Sequence, residues 1–530
     1  MSLSPESTAV PGITLHNPAT GELIGRYPWQ SADEVRAVLR TARAAQPGWA
    51  ALPLAKRQRP IRGLRRWLMA HMDETAQTIS DCMGKTRVDA LTTEIMPTVT
   101  GSRWYEKNAQ KFLTPQHLKN GSLLFFSKRS TLRRVPWGVV GIISPWNYPL
   151  GIPMHEIVPA LLAGNTVVFK TAPETVAVGA FMERMFRESG LPEGVFHHIH
   201  IDGPLAGELL LESGNGVDKL FFTGSVPVGK LLMEKAARTL TPVSLELGGK
   251  DAMIVCADAD MERAAAGAVW AGLSNAGQSC AGVERIYIHQ DVYAGFMQRL
   301  TQKVMALRVG HGMDFNVDIG PLCTDRQVDT VRRQLEEAFQ RGASIAAKAG
   351  PALETNPHFI SPMVITQVDH SMAIMREETF GPILGVMQVA SDAEAIRLAN
   401  DSHYGLSASV WSRDLRKAAM LAEQIRAGAV TINDHLLSHG LTETPWGGFK
   451  DSGNNRGHGR FAFEAVTTPQ VIVSDWLKLA RRQPFWMPYD QQGYKGLKGV
   501  LTVLYGRGII ARLAGLRQAW SLLPRMFRKQ

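Results

Sequence analysis

Gly138-Val-Val-Gly-Ile-Ile143 and Thr166-Val-Val-Phe169 are two short apolar runs, and between them Pro153–Ala163 reads as a helix. Runs this short and this free of polar residues read as strands buried on both faces, as in parallel sheets. A further helix over Val176–Ser189 continues the alternation, which predicts a parallel α/β sheet. Working outward, His197–Ile201, Lys219-Leu-Phe-Phe222 and Val243–Leu247 read as its remaining strands. Ala252–Val255, Arg285–His289 and Ile383–Val389 then begin a second α/β sheet. On the amino-terminal side, apolar periodicity predicts helices over Ala32–Gln46 and Arg57–Met83. Ser122–Arg134 alternates between Gly121 and Pro136 and reads as a β-hairpin apart from the sheet core, and no repeat of fixed period occurs.

A chain of 530 residues, 45% of them hydrophobic, is long enough for two or three domains with their own cores. Its net charge of +10 is concentrated at one end: eleven Lys or Arg stand between Trp476 and Gln530 against the single acid Asp490. The rest is neutral, which argues against nucleic acid as a partner, since phosphate binding needs clustered cations. Cys82, Cys256, Cys280 and Cys323 lie far apart without a CxxC pair, so neither a disulfide framework nor a zinc site is suggested, and a reducing, cytoplasmic setting is expected. Met1–Val10 is polar and unlike a secretory signal, and no apolar run of about 18 residues predicts a transmembrane helix.

Four segments carry candidate chemistry. Cys280 lies in Asn275-Ala-Gly-Gln-Ser-Cys280-Ala-Gly282, a turn of small residues after a helical Asp260–Leu273. Glycines on both sides would let a substrate approach, so Cys280 reads either as a nucleophile or as a buried structural thiol. Glu246 ends an apolar strand, where a half-buried carboxylate would serve as a general base unless it turns to solvent. Asn147 follows a buried strand between two prolines, either donating to an oxyanion or satisfying the turn. In Phe222-Thr-Gly-Ser225-Val-Pro-Val-Gly229, a strand gives way to a helix with Ser225 as N-cap, a place for a cofactor phosphate or simply a capped helix.

Together with Glu377-Glu-Thr-Phe-Gly-Pro382 and Pro445-Trp-Gly-Gly-Phe-Lys450, the motifs Pro145-Trp-Asn147, Phe222-Thr-Gly-Ser225, Leu245-Glu246-Leu-Gly-Gly249 and Gly277-Gln-Ser-Cys280 resemble the aldehyde dehydrogenase superfamily in order and spacing, over about residues 15–470. The resemblance implies an α/β fold: a Rossmann-like cofactor domain over 1–120 and 136–246, an α/β catalytic domain over 247–443 and a small β oligomerisation segment over 121–135 and 444–474; composition sets 475–530 apart as a basic, amphipathic helical tail. It implies a homo-oligomer, dimer or tetramer, that oxidises an aldehyde without a metal. Cys280 becomes the nucleophile that carries the thioester, Asn147 and the Cys280 backbone N–H the oxyanion hole, and Glu246 the base that activates the hydrolytic water. Lys170 would hold the adenine ribose and Glu378 the nicotinamide ribose. Gly224 and Ser225 would lie by the pyrophosphate and Phe380 by the nicotinamide, with Trp146 and Gly229 in the same cofactor-binding set. The cofactor is NAD or NADP with NAD slightly favoured; many NAD-preferring relatives carry a glutamate where this chain has Pro173, with Glu174 one place late, a departure that keeps NADP open.

Within Leu497–Phe527, apolar residues at three- and four-residue spacing interleave with Arg507, Arg512, Arg517 and Arg525. A helix of this kind either lies on an anionic membrane or packs on protein. The membrane reading would place the enzyme at the cytoplasmic face and suit an apolar or long-chain aldehyde. The alternatives are a semialdehyde dehydrogenase for a small polar substrate, a cysteine esterase or thioesterase without redox chemistry, and an inactive body serving as a membrane-bound interaction protein.

Overall fold

The computed structural model describes residues 12–311, 315–350, 356–477 and 480–527, so the polar opening Met1–Val10 lies outside the described residues. The chain divides into two units, Met1–Phe112 with Pro136–Thr467 and Leu113–Val135 with Thr468–Gln530.

The first unit contains two large sheets. One has five parallel strands: β1 (Val139–Ile143), β2 (Thr166–Lys170), β3 (Phe196–Ile199), β4 (Lys219–Thr223) and β5 (Val243–Glu246), in the spatial order β3-β2-β1-β4-β5. The chain runs outward from β1 to β3 and then returns to β4 on the other side of β1. That reversal opens a crevice at the carboxyl ends of β1 and β4, where ligands gather in such sheets. The segments that leave those two ends carry Asn147 and Gly224-Ser225.

The other sheet has seven strands: β6 (Asp251–Val255), β7 (Val283–His289), β8 (Ser344–Lys348), β9 (Met363–Thr366), β10 (Ile383–Val389), β11 (Ser407–Trp411) and β12 (Ala429–Ile432). Their order is β8-β9-β10-β7-β6-β11-β12, parallel except for the β8/β9 pair. Every residue of β6 and β11 is buried, which explains why Ala252–Val255 of β6 read as an unbroken apolar run, while Ser407 and Ser409 kept β11 from being read as a strand.

Some local expectations are corrected. The helix read over Arg57–Met83 is two, Leu54–Ala70 and Met72–Met83. His71 leaves helical geometry at φ −120°, stacks on Trp67 and donates from Nδ1 to the Trp67 carbonyl at 2.7 Å, so a polar side chain takes over the helix end. The hairpin read over Ser122–Arg134 is shifted: its arms are Gln116–Leu118 and Lys128–Pro136, and Thr467–Asp475 completes a three-stranded sheet. Ser122 Oγ caps a 3-10 turn over Leu123–Phe125, and the Asn120 amide donates to the carbonyls of Phe125 and Lys128, so the alternating residues there belong to a turn.

The tail is a cluster of three helices, not one: α4 (Gln491–Tyr505), α5 (Ile509–Ala519) and α6 (Leu522–Phe527), numbered after α1 (Gly151–Ala163), α2 (Val226–Ala237) and α3 (Met261–Leu273) of the first unit. Gly506 and Gly508, the latter at φ +83°, end the first helix and turn the chain. No helix among the described residues is long and apolar enough to cross a membrane.

Candidate active site

Cys280 is presented by a strained turn. Asn275, Ala276 and Gly277 follow α3 in left-handed geometry, at φ 52°, 53° and 72°. A side chain on Gly277 would put its Cβ 2.1 Å from the Gly381 carbonyl oxygen, so the turn is wedged against the 377–382 loop. Gln278 locks it further: its amide donates to the Asn275 carbonyl at 3.0 Å and its Oε1 accepts from the Cys323 N–H at 2.8 Å.

Leu247-Gly248-Gly249 runs from β5 past the thiol. A Cβ on Gly248 would lie 2.5 Å from a Glu378 oxygen, and one on Gly249 would lie 2.1 Å from the Cys280 carbonyl oxygen. Glycine at both positions lets backbone pass between these residues. Glu246, the residue before this segment, has both carboxylate oxygens buried and without a partner. Burial pushes its pKa well above the ordinary value and nearby Glu156 adds to the shift, against a smaller pull from Arg456. The Cys280 thiol is also pushed up, first by burial and then by Glu378, Asp251 and Glu246.

Asn147 is buried at the end of β1, and its amide donates to the Gln278 carbonyl at 3.2 Å, tying it to the cysteine turn. Its own carbonyl accepts from Lys85 Nζ at 2.8 Å, and Lys85 pairs at 2.8 Å with Glu94, both side chains fully buried. Glu94 in turn accepts from the backbone N–H groups of Leu150 and Gly151 at the start of α1. The Lys85–Glu94 pair therefore fixes the whole Asn147 segment. No sequence motif marked it, because the partners come together only in the fold.

A second cleft, of about 330 Å³, gathers Trp146, Asn147, Gly224, Ser225, Glu378 and Phe380 around Cys280. Trp146 and Phe380 meet edge to face at 5.5 Å. Glu378 accepts from the Gly249 N–H at 3.0 Å, and burial followed by Glu284 raises its pKa to about 8. A buried Lys250–Glu284 pair holds this loop, with Glu284 accepting from the N–H groups of Thr379 and Phe380. Ser225 stands at the N-cap of α2 as expected, but its side chain makes no capping bond.

Lys170 and Gly229 do not line this cleft. Lys170 is buried at the end of β2 with Nζ on the Thr171 carbonyl, and Gly229 packs α2 against Leu247, where a Cβ would meet the leucine side chain at 2.7 Å. Glu174 does line the cleft, as do Thr324, Arg326 and Gln327, none of the last three singled out by the sequence.

Two further cavities reach the thiol. One, of about 210 Å³, is walled mainly by Met96, Pro97, Tyr148, Ile152, Trp270, Leu436, Leu437 and Trp446, with the hydroxyl residues Thr92, Thr93, Thr100 and Ser279, and among the described residues no acid, lysine or arginine lines it. The other, of about 40 Å³, holds Glu246 and Glu156. Cys280 alone lines all three. The protein thus offers a thiol between a polar cleft, an apolar pocket and an unpartnered carboxylate.

A family model described as the aldehyde dehydrogenase family matches residues 5–472. The chain belongs to the aldehyde dehydrogenase family. This aldehyde dehydrogenase is 38% identical to a 4,4'-diapolycopene aldehyde oxidase of a Methylomonas species over 494 residues, 93% of this chain and 91% of that one. It is 36% identical to a putative NADP+ succinate-semialdehyde dehydrogenase of Mycolicibacterium smegmatis over 456 residues, 86% of this chain and 87% of the other. Among solved structures, an NAD-dependent aldehyde dehydrogenase from Sinorhizobium meliloti superposes with a TM-score of 0.85 at 32% identity, covering 92% of this chain and 95% of its own. The NAD+ complex of an aldehyde dehydrogenase from Bacillus cereus gives 0.83 at 32% identity, covering 88% and 94%. The α/β architecture is therefore that of aldehyde dehydrogenases, and the chemistry is aldehyde oxidation. The relatives are named for unlike aldehydes, so the family leaves the substrate open.

Proposed function

We propose that this enzyme oxidises an apolar, long-chain aldehyde to its carboxylic acid with NAD as hydride acceptor, docked on an anionic membrane surface. The observation that carries the substrate class is the cavity beside Cys280. Its walls are mostly apolar and aromatic, their polar members Thr92, Thr93, Thr100, Tyr148 and Ser279 bearing only neutral hydroxyls, and Met96, Trp270 and Leu437 continue the apolar character onto the exposed surface. His439, a polar group in the same lining, is neutral at pH 7, because burial lowers its pKa to about 4. A semialdehyde's carboxylate would be stripped of water here with no cation to meet, which costs several kcal/mol. The relative named for 4,4'-diapolycopene aldehyde supports the same reading.

In the proposed reaction the Cys280 thiolate adds to the carbonyl carbon. The oxyanion so formed takes hydrogen bonds from the Asn147 amide and the Cys280 N–H, donors whose interaction strengthens only as charge develops. Loss of hydride from the thiohemiacetal leaves a thioester on Cys280. Glu246 deprotonates a water that adds to the thioester carbonyl, the C–S bond breaks, and the acid leaves with the thiol restored.

The cleft fits a dinucleotide: Gly248 leaves a cradle that a Cβ would fill, the buried Thr223 hydroxyl has no partner, and the start of α2 opens into it. When bound, NAD supplies the hydride acceptor. Gly224 and Ser225 would hold its pyrophosphate, Glu378 its nicotinamide ribose, and Trp146 and Phe380 would flank the ring. Lys170 and Gly229 act behind the cleft wall. Glu174, in the lining despite its shifted place in the sequence, favours NAD because its carboxylate would repel a 2′-phosphate.

The test is kcat/KM for decanal and longer aldehydes against succinic semialdehyde, with NAD and NADP in turn. A preference of at least about 100-fold for the apolar aldehydes is expected, and equal or better use of succinic semialdehyde would overturn the substrate class.

The membrane reading rests on the C-terminal helices. Their buried positions are mostly glycines, Gly493, Gly496 and Gly499 in α4 and Gly515 in α5, while Tyr494, Leu501, Ile509, Ile510, Leu513, Leu516 and Trp520 are exposed. Small residues at the helix seam with large apolar ones outside is the arrangement of helices that meet lipid. Arg507, Arg512 and Arg517 supply the complementary charge for anionic headgroups. The three-stranded sheet, with Val471, Ile472 and Val473 exposed on its edge strand, is the proposed contact between copies in a homo-oligomer.

A further inference from the structure

Three imidazoles converge beside the catalytic pocket. His155 comes from within α1, His439 from the 3-10 turn Leu437–Gly440, and His458 immediately precedes the helix Gly459–Ala465. One ring nitrogen of each lies within 4.8 Å of those of the other two. The rings of His155 and His458 stack at 4.2 Å, and His439 stands edge-on to both, at 5.4 and 4.9 Å.

Two of the rings are almost wholly enclosed, at 4% exposure for His155 and 3% for His458, yet His155 Nε2 and His458 Nδ1 have no hydrogen-bond partner. Buried polar atoms ordinarily find one, and leaving them unpaired is costly. His458 is held besides in left-handed backbone at φ 59°, a conformation seldom kept by a residue other than glycine unless its surroundings enforce it. His155 is oriented from behind by the Tyr105 hydroxyl, 3.2 Å from its Nδ1. With Nδ1–H donating to the tyrosine oxygen, Nε2 keeps a free lone pair, which is how an outer hydrogen bond sets up a ligating imidazole.

We propose that His155, His439 and His458 form a binding site for one divalent transition-metal ion of imidazole preference, for which Zn2+ is the probe. Three neutral imidazoles without a carboxylate or thiolate select such an ion over Mg2+ or Ca2+. A tetrahedral zinc takes imidazole nitrogens at about 2.0–2.1 Å, which sets them roughly 3.4 Å apart. To reach that distance with both lone pairs aimed at one ion, His155 and His458 must rotate out of their stack and His439, on a half-buried turn, must move in. The fourth position faces the cavity of about 40 Å³ that the three histidines share with Glu156, Glu246 and Cys280, large enough for one water. His439 also lines the apolar pocket, which gives the ion a way in. An ion here would border the apolar pocket through His439, so the substrate comparison is made on enzyme freed of metal.

Full-length enzyme treated with EDTA and then dialysed is titrated with Zn2+ by calorimetry and with Co2+ by visible absorption. One ion per chain is expected, with a dissociation constant in the micromolar range or below. His439→Ala and His458→Ala should each weaken binding by at least about 100-fold, and Tyr105→Phe by about 10-fold. Cys280→Ser should bind as the parent does. If His458→Ala fails to fold, His439→Ala carries the test, since its turn lies outside the helices and sheets. Absence of stoichiometric binding would overturn the proposal, as would an ion lost in Cys280→Ser and retained in His439→Ala.

Discussion

At Cys280, position and proton affinity pull in different directions. The turn aims the thiol at three cavities, while burial and the charges of Glu378, Asp251 and Glu246 hold it protonated. A raised pKa leaves little thiolate at neutral pH, so reactivity should climb as pH rises and keep climbing above the usual thiol value of about 8.5. Alkylation of the free enzyme by iodoacetamide, followed by mass spectrometry of the Cys280 peptide, checks this; a plateau reached below about pH 8 would contradict it. Cys280, Glu246 and Asn147 were singled out because each sits in a distinctive run of small or proline residues, and the roles proposed for them come from the set of motifs taken together. Lys85 and Glu94 were not, since nothing near either residue shows that Lys85 will meet a carbonyl 62 positions away. The histidine cluster was hidden for the same reason, its members coming from three distant segments.

Among the elements, the strands rich in apolar residues were legible, and β1, β2, β4 and β6 fall where the sequence puts them, whereas β11, buried throughout but interrupted by Ser407 and Ser409, was missed. Segments whose side chains are spent on local hydrogen bonds were misread, as at His71 and around Ser122. The glycines after β5 show how an element end controls the chemistry. In Gly249→Ala the new Cβ would press on the Cys280 carbonyl from 2.1 Å, so the cysteine turn must yield. A displacement near 1 Å is expected to lower kcat by about 100-fold. Comparing kcat and the thermal unfolding midpoint tests this, and an alanine variant with parental kcat would show that the turn has room to spare.

For the whole molecule, the tail's charge and apolar spacing were legible, whereas its division into three helices with a glycine seam was not, because periodicity alone does not reveal which face packs inward. Flotation with vesicles containing anionic phosphatidylglycerol should carry full-length enzyme upward and leave behind both a chain ending at Leu477 and the pair Ile510→Asp, Leu513→Asp. Equal flotation of all three would remove the membrane from the account, and loss of a dimer without any flotation would assign the apolar face to a second copy. The central claim is a thioester on Cys280 that Glu246 helps to hydrolyse, and stopped-flow detection of NADH from decanal and NAD tests it most directly. In Glu246→Gln the account expects one NADH per active site in a rapid burst, then turnover slowed by about 100- to 10,000-fold, and in Cys280→Ser no NADH. NADH formation by Cys280→Ser, or parental steady-state turnover by Glu246→Gln, would contradict it.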